Sequence, residues 1–305
     1  MDLFALALRH TNTLYAKAAE KKDGITVSSV IEAPSILPAL LSGQRDAVYR
    51  FFTNVAALVK RKDAQLTLSL PASLVLMNCG FLENIPANYL QKELDRFSYR
   101  LLRLEPTDPY NVDKAMIITQ RKNVWLTSAG VEKRHIELLW DAVLQAGMVL
   151  AAVEVEAIAA FRNTDFKEPC GYFELLEQSI FISGFSPEYG MFTIQSQFSA
   201  QEDIDQALQH AIALFDTAVS DTFLKSIGEP LPIFINEQDY QELRACQSQW
   251  NDRLLPLPVA NAVQSKAYTP KQLQDYALPL GLLVKPFFER RERLEKIRSD
   301  KSRSK

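Results

Sequence analysis

Glu154 and Glu156 stand two residues apart in VEVEAIAA, a spacing that puts two carboxylates on one face of a strand end. Paired carboxylates there could do acid–base work. The residues that follow read as a helix, and acids in a first helical turn are stabilised by the helix dipole, which is the simpler expectation for this pair. His10, His135 and His210 lie far apart, as do Cys79, Cys170 and Cys246. No His-x-x-x-His or Cys-x-x-Cys spacing occurs, so no metal site is expected, and no Gly-x-Ser-x-Gly elbow announces a serine nucleophile. His135 and His210 fall on amphipathic helices and are expected at partly exposed positions. The cysteines read as buried free thiols of a reducing cytoplasm. Phe51, Phe52, Trp125 and Trp140 are expected in the core.

A second candidate is the opening stretch LFALALRHTNTLYAK, residues 3–17, which reads as two strands joined by a polar turn. A turn of this kind grips phosphate when it carries glycine, for close backbone approach, and a carboxylate to hold a metal. This one has neither. Only 10 of the 305 residues are glycine, about half the usual ~7% share, which argues against several glycine-rich phosphate loops.

The elements that must position these residues alternate between strand and helix. Residues 3–8, 13–20 and 24–32 form a meander, 44–60 show helical spacing, and 65–71 alternate with period two. A second unit follows: strand 73–82, helix 85–102, strands 113–120 and 123–130, and a helix over 131–147 closed by Gly147. Residues 149–162 run from strand into helix. The pattern then restarts, with a hairpin of 172–184 and 189–198, helix 201–224, strand 230–235, and helices 237–254 and 270–284. With 47% apolar and 23% charged residues the chain can bury a large core, and no window of 18 apolar residues suggests a membrane helix. The N-terminus lacks the basic region and apolar run of a secretory signal. Residues 287–305 hold eight Lys or Arg and four Asp or Glu, a net of +4, so the rest of the chain carries about −7 of the total −3. An acidic body with basic residues gathered at one end excludes a broad nucleic-acid-binding face. The basic end reads as a solvated helix terminus or as a contact with an anionic membrane surface.

Three phrases carry a resemblance: LTLSLPASLVLMNCGFLENIPANYLQKELDRFSYRLLRLEPTDPY at 66–110, VEKRHIELLWDAVLQAGMVLAAVEVEAIAAFR at 131–162 and DYALPLGLLVK at 275–285. In order and spacing they resemble the type IV pilus assembly protein PilM family, in the actin-like ATPase group with FtsA and the secretion-system L proteins. The MSHA-type protein MshI is a plausible closer relative. The resemblance implies an α/β fold of two duplicated, ribonuclease-H-like lobes with an inserted α+β subdomain. It divides the chain into a first lobe (1–64 and 151–168), an insert (65–150), a second lobe (169–286) and a basic tail (287–305).

The departures from the family bear on function. Its first hairpin carries Asp-x-Gly; here Ala7 stands for the aspartate and Arg9 for the glycine. At the second-lobe counterpart Glu177 and Gln178 fall near the expected aspartate, and NEQDYQEL, after PLPIFI, has no glycine for an adenosine loop. Three degenerate elements imply no bound nucleotide cofactor, no metal, no catalytic residue and a pseudo-ATPase. The resemblance implies a cytoplasmic scaffold, peripheral to the inner membrane, that takes the N-terminal peptide of a PilN-like protein in a groove between residues 1–64 and 65–150. A pilus assembly ATPase is a further implied partner. Two alternatives stay open: a nucleotide-binding ATPase with unusual loops, and the cytoplasmic domain of a type II secretion L protein whose chain continues into a membrane helix.

Overall fold

The computed structural model describes residues 2–21, 23–60, 63–83, 90–118, 124–165, 167–176, 178–199, 203–223, 230–243 and 252–285. Strands β1 (Asp2–Leu8), β2 (Asn12–Lys21) and β3 (Gly24–Pro34) form an antiparallel meander, and β4 (Gln65–Leu70) returns parallel to β1 with Leu6 opposite Leu68. The helices α1 (Leu37–Leu41) and α2 (Arg45–Val59) lie between β3 and β4. β8 (Val149–Val155) adds parallel to β4 at the sheet edge. β1 is buried on both faces. Phe4, Leu6 and Leu8 join a cluster with Val48 and Phe52 of α2, while Leu3 and Ala5 join one with Leu280 and Leu283. That accounts for its unbroken apolar run, the pattern of a strand covered on both sides.

The second lobe repeats this plan. β9 (Cys170–Leu176), β10 (Ser179–Ser186) and β11 (Gly190–Gln197) form a meander, and β12 (Ile233–Ile235) and β13 (Leu254–Pro256) run parallel to β9. The helix α6 (Ile204–Thr222) connects β11 to β12, and α7 (Glu237–Leu243) follows β12. Both sheets therefore carry the order third, second, first, fourth, fifth strand. Between β4 and β8 sits a three-stranded antiparallel sheet of β5 (Leu76–Leu82), β7 (Val124–Glu132) and β6 (Tyr110–Ile118), covered by α3 (Leu90–Leu101). From it, α4 (Lys133–Gln145) leads back to β8; Gly147, at φ 74°, takes the left-handed conformation that a helix stop favours.

Sheet membership sets different edges from those expected. β4 and β8 are hydrogen-bonded members of the large first sheet, so the insert's own strands span 76–132 rather than 65–150. After β13 the chain leaves the second lobe. β14 (Val263–Ser265) pairs with β3, and α9 (Ala277–Leu283) packs against α5 (Glu156–Asn163), β1 and β2, so 257–285 belong with the first sheet.

Other differences have local causes. The stretch 172–184 is shared by two strands, β9 ending at Leu176 and β10 starting at Ser179, a break that no Gly or Pro marks in the sequence. The stretch 270–284 is two short helices, α8 (Pro270–Gln274) and α9, since Pro279 cannot donate to residue 275 and is tolerated only in a first turn. Of 237–254, the described part is α7 followed by β13; the rest, like the tail 287–305, lies outside the described residues. His135 is buried, not partly exposed: it occupies the stripe His135, Leu138, Leu139, Ala142, Val143 that α4 turns inward. Trp140 lies off that stripe and is 50% exposed, whereas Phe52 and Trp125 are core residues. Cys79 and Cys170 are buried free thiols, their pKa values pushed up to about 12 by burial.

Candidate functional site

The cleft between the lobes is built where four chain segments end. β1 stops at Leu8 and the turn closes through Arg9 N–H to Asn12 O at 3.0 Å. Across the cleft, Asn236 sits between β12 and α7, where its Oδ1 accepts from Asp239 N–H at 3.0 Å and its Nδ2 donates to Asp239 Oδ2 at 2.5 Å. Asp239 is thereby held facing Arg9, whose Nη2 donates to both carboxylate oxygens at 3.2 Å. Arg9 Nε lies 3.7 Å from Glu156 Oε1, at the start of α5, and that oxygen also accepts from Tyr172 Oη of β9 at 2.6 Å. Beside them Glu174 Oε2 accepts from Ala72 N–H at 2.8 Å. The five side chains Arg9, Glu156, Tyr172, Glu174 and Asp239 are all buried.

The electrostatics follow from burial and sign. Burial opposes the Arg9 charge, but Asp239 and Glu156 outweigh it and hold the guanidinium firmly protonated. Burial pushes the Glu156 carboxyl up, against the pull of Arg9 and Tyr172. Glu174 is pushed well above the usual carboxylate range by burial and then by Glu156. Its Oε1, like Glu156 Oε2, has no hydrogen-bond partner among the described residues. The cluster thus holds one committed cation, two nearby carboxylates and a carboxyl that resists ionisation.

Of the positions singled out in sequence, the structure brings Arg9 to the centre of this cleft. Ala7 is fully buried in β1, opposite Leu14 and Ser69, with no side chain to offer a ligand. Gln178 is exposed at the β9–β10 turn, where its carbonyl accepts from Phe198 N–H at 3.1 Å. Glu177 lies outside the described residues. Sequence reasoning missed Asp239, Tyr172 and Glu174. The signal for Glu174 was present, as a lone acid inside the apolar strand CGYFELL, since a buried charge needs a partner. Glu156 does occupy a first helical turn, but it faces Arg9. Glu154 instead binds Arg162, and Lys285 Nζ at 2.5 Å. Arg162 and then Lys285 outweigh burial and hold the Glu154 carboxyl below its ordinary range.

A second concavity of about 470 Å³ lies between the first lobe and the insert. Its walls are two sheet edges, β8 of the large sheet and β6 of the small one. Leu70, Val75, Val112, Val131, Val153 and Ile158 make an apolar floor, with Asn111, Asp113, Glu154 and Lys285 at the polar positions. An edge strand presents unpaired backbone groups, and an apolar floor beside it suits an extended peptide.

The duplicated sheet order with an insert before the last strand of the first lobe defines an actin-like fold. Among solved structures, the PilM–PilN type IV pilus biogenesis complex contains a chain like this one, with a TM-score of 0.69 and 13% identity over 93% of this chain and 98% of that one. The cytoplasmic domain of EpsL, an inner-membrane component of the Vibrio cholerae type II secretion system, gives 0.51 and 14%, over 93% and 96%. No family model and no curated protein matches the chain in sequence. The likeness is in fold: an actin-like architecture, as the resemblance carried by 66–110, 131–162 and 275–285 implied. Among the described residues no helix is long and apolar enough to cross a membrane.

Proposed function

We propose that this protein is a cytoplasmic scaffold of a type IV pilus, MSHA-like, or of a related secretion platform, and that it captures an extended N-terminal peptide of a PilN-like inner-membrane partner without hydrolysing ATP. The observation that carries the reading is the apolar groove walled by β8 and β6, which are edge strands of their sheets among the described residues. A strand laid against either edge gains backbone hydrogen bonds, and its alternate side chains reach Val112, Val131 and Val153. Glu154, held charged by Arg162 and Lys285, fixes the polarity of that wall.

The interlobe cleft supports a role without hydrolysis. Phosphoryl transfer needs backbone donors close to the phosphates and a held Mg²⁺. Here the first turn bears the long Arg9 side chain, and its charge is spent on Asp239 and Glu156. Titrating the full chain with a synthetic peptide from the partner's cytoplasmic N-terminus tests the proposal. Saturable binding that Val112→Asp weakens about tenfold or more, with unchanged melting, is the expected result. Binding indifferent to that change, or tight binding of Mg·ATP with turnover, would overturn it.

A further inference from the structure

The buried cluster that joins the lobes is short of positive charge. Strand β9 sends alternate side chains to opposite sides. Phe173 joins the second lobe's core, while Tyr172 and Glu174 face the first lobe. There Tyr172 Oη donates to Glu156 Oε1, and Glu174 Oε2 accepts from Ala72 N–H in the helical turn Ala72–Leu74 that follows β4. Asp239 adds the link to Arg9. Against the single cation Arg9 stand three buried acids, Glu156, Glu174 and Asp239. Full ionisation would therefore leave an excess of negative charge out of water, which is costly. Two oxygens are also left over, Glu156 Oε2 on the first lobe and Glu174 Oε1 on the second. Both are buried, and neither has a hydrogen-bond partner among the described residues. One proton answers both shortages. Bound to Glu174, it removes one negative charge and turns an acceptor-only group into a donor for its neighbour. Burial, then Glu156 and Asp239, favour that proton; Ala72 N–H and Arg9 oppose it and are outweighed. Tyr172, beside it on β9, keeps its own proton through burial and then Glu156. A further titratable side chain nearby is His10, next to Arg9, whose Nε2 lies 2.7 Å from Ser73 Oγ.

We infer that the seam between the lobes is a proton-operated latch: Glu174 shares one proton with Glu156 while the lobes are shut, and its loss to water drives β9 away from α5 and from the Ala72–Leu74 turn. Acid closes the latch and base opens it. At low pH the Glu174 carboxyl is neutral, accepting from Ala72 and donating toward Glu156 Oε2. As pH rises it ionises, and two carboxylates then face each other in a buried site where the one cation is already held by Asp239. Parting of the seam lets water reach both. The latch is separate from the β8–β6 groove and holds whether or not that groove takes a peptide.

The test is an NMR pH titration of the full chain, labelled with 13C at glutamate carboxyls and 15N at backbone amides. The Glu174 resonance, assigned by its loss in Glu174→Gln, should stay protonated where exposed glutamates have ionised, and the Glu156 resonance should shift in the same step. Over that step hydrogen-exchange protection at Ala72, corrected for the intrinsic rate, should fall by up to about tenfold per pH unit, the most that release of one proton allows. In Glu174→Gln the amide accepts from Ala72 and donates to Glu156 at every pH, so this decline should vanish. His10→Gln should leave it in place. A Glu174 that titrates with the exposed glutamates, or Ala72 protection that ignores the Glu174 step, overturns the latch. So does a decline that persists in Glu174→Gln or one that His10→Gln abolishes.

Discussion

The two clefts of this molecule are built from the same kind of material and put to opposite use. Each lies where sheets meet, yet the interlobe cleft is closed by buried ions while the β8–β6 groove is left open and apolar. In the first, Arg9 reaches from one lobe to Asp239 on the other, so opposite charges pair across it. In the second, β8 and β6 are terminal strands of their sheets among the described residues, and Val112, Val131 and Val153 line the space between them. The contrast teaches that two clefts of one fold can differ in kind: one bridged by ion pairs between lobes, the other lined by apolar side chains at sheet edges.

The strongest way to break the contrast is Arg9→Ala. It strands Asp239 and Glu156 as buried charges, and loss of one partner of a buried pair costs about 3–5 kcal/mol, read from denaturant midpoints. A cost under about 1 kcal/mol would mean that the ions do not strut the lobes. Next comes the groove. Val112→Asp should weaken peptide binding by about 1.4 kcal/mol or more and leave the unfolding midpoint near that of wild type.

A smaller effect sharpens the electrostatics of the closed cleft. Because the folded-state pKa of Glu174 is raised, the folded protein keeps this proton after the unfolded chain has lost it. Stability from this group is therefore full below the unfolded value near 4.3 and falls as pH rises toward the folded value, by at most about 1.4 kcal/mol per pH unit. Glu174→Gln should flatten that decline, so the variant gains on wild type as pH rises above the unfolded value. Equal pH profiles would contradict a shifted Glu174. Last, Trp140→Ser should change stability by no more than about 0.5 kcal/mol, since the side chain is half exposed and off the α4 stripe.

What the sequence disclosed divides along the range of the interactions. Local periodicity marked β1 to β4, α2, α4 and α6 to within a few residues, because each buries a face made of its own side chains. Arg9 was legible as a wrong residue at a phosphate turn. Its partners were not, because Asp239 and Glu156 are 230 and 147 positions away and only the fold brings them together. His135 could have been read from the spacing of its stripe, where one polar residue interrupts an apolar row. The insert's edges were misjudged for a different reason. A strand's sequence shows that it is buried but not which sheet it joins, and β4 and β8 were assigned by adjacency in the chain. β13 and β14, three residues each, are too short to show a period at all.

The return of residues 257–285 to the first sheet reverses an ordinary intuition about trimming. At Gly281 an added Cβ would sit 2.0 Å from Ala159 O, so α9 lies backbone-close on α5, and Asn163 stitches the join by donating to Ala277 O at 2.8 Å while accepting from Ala260 N–H at 3.1 Å. Cutting the chain after β13 would spare the half just synthesised and strip the cover from the half made first. The opening strands therefore gain this cover only after residue 285 has been made.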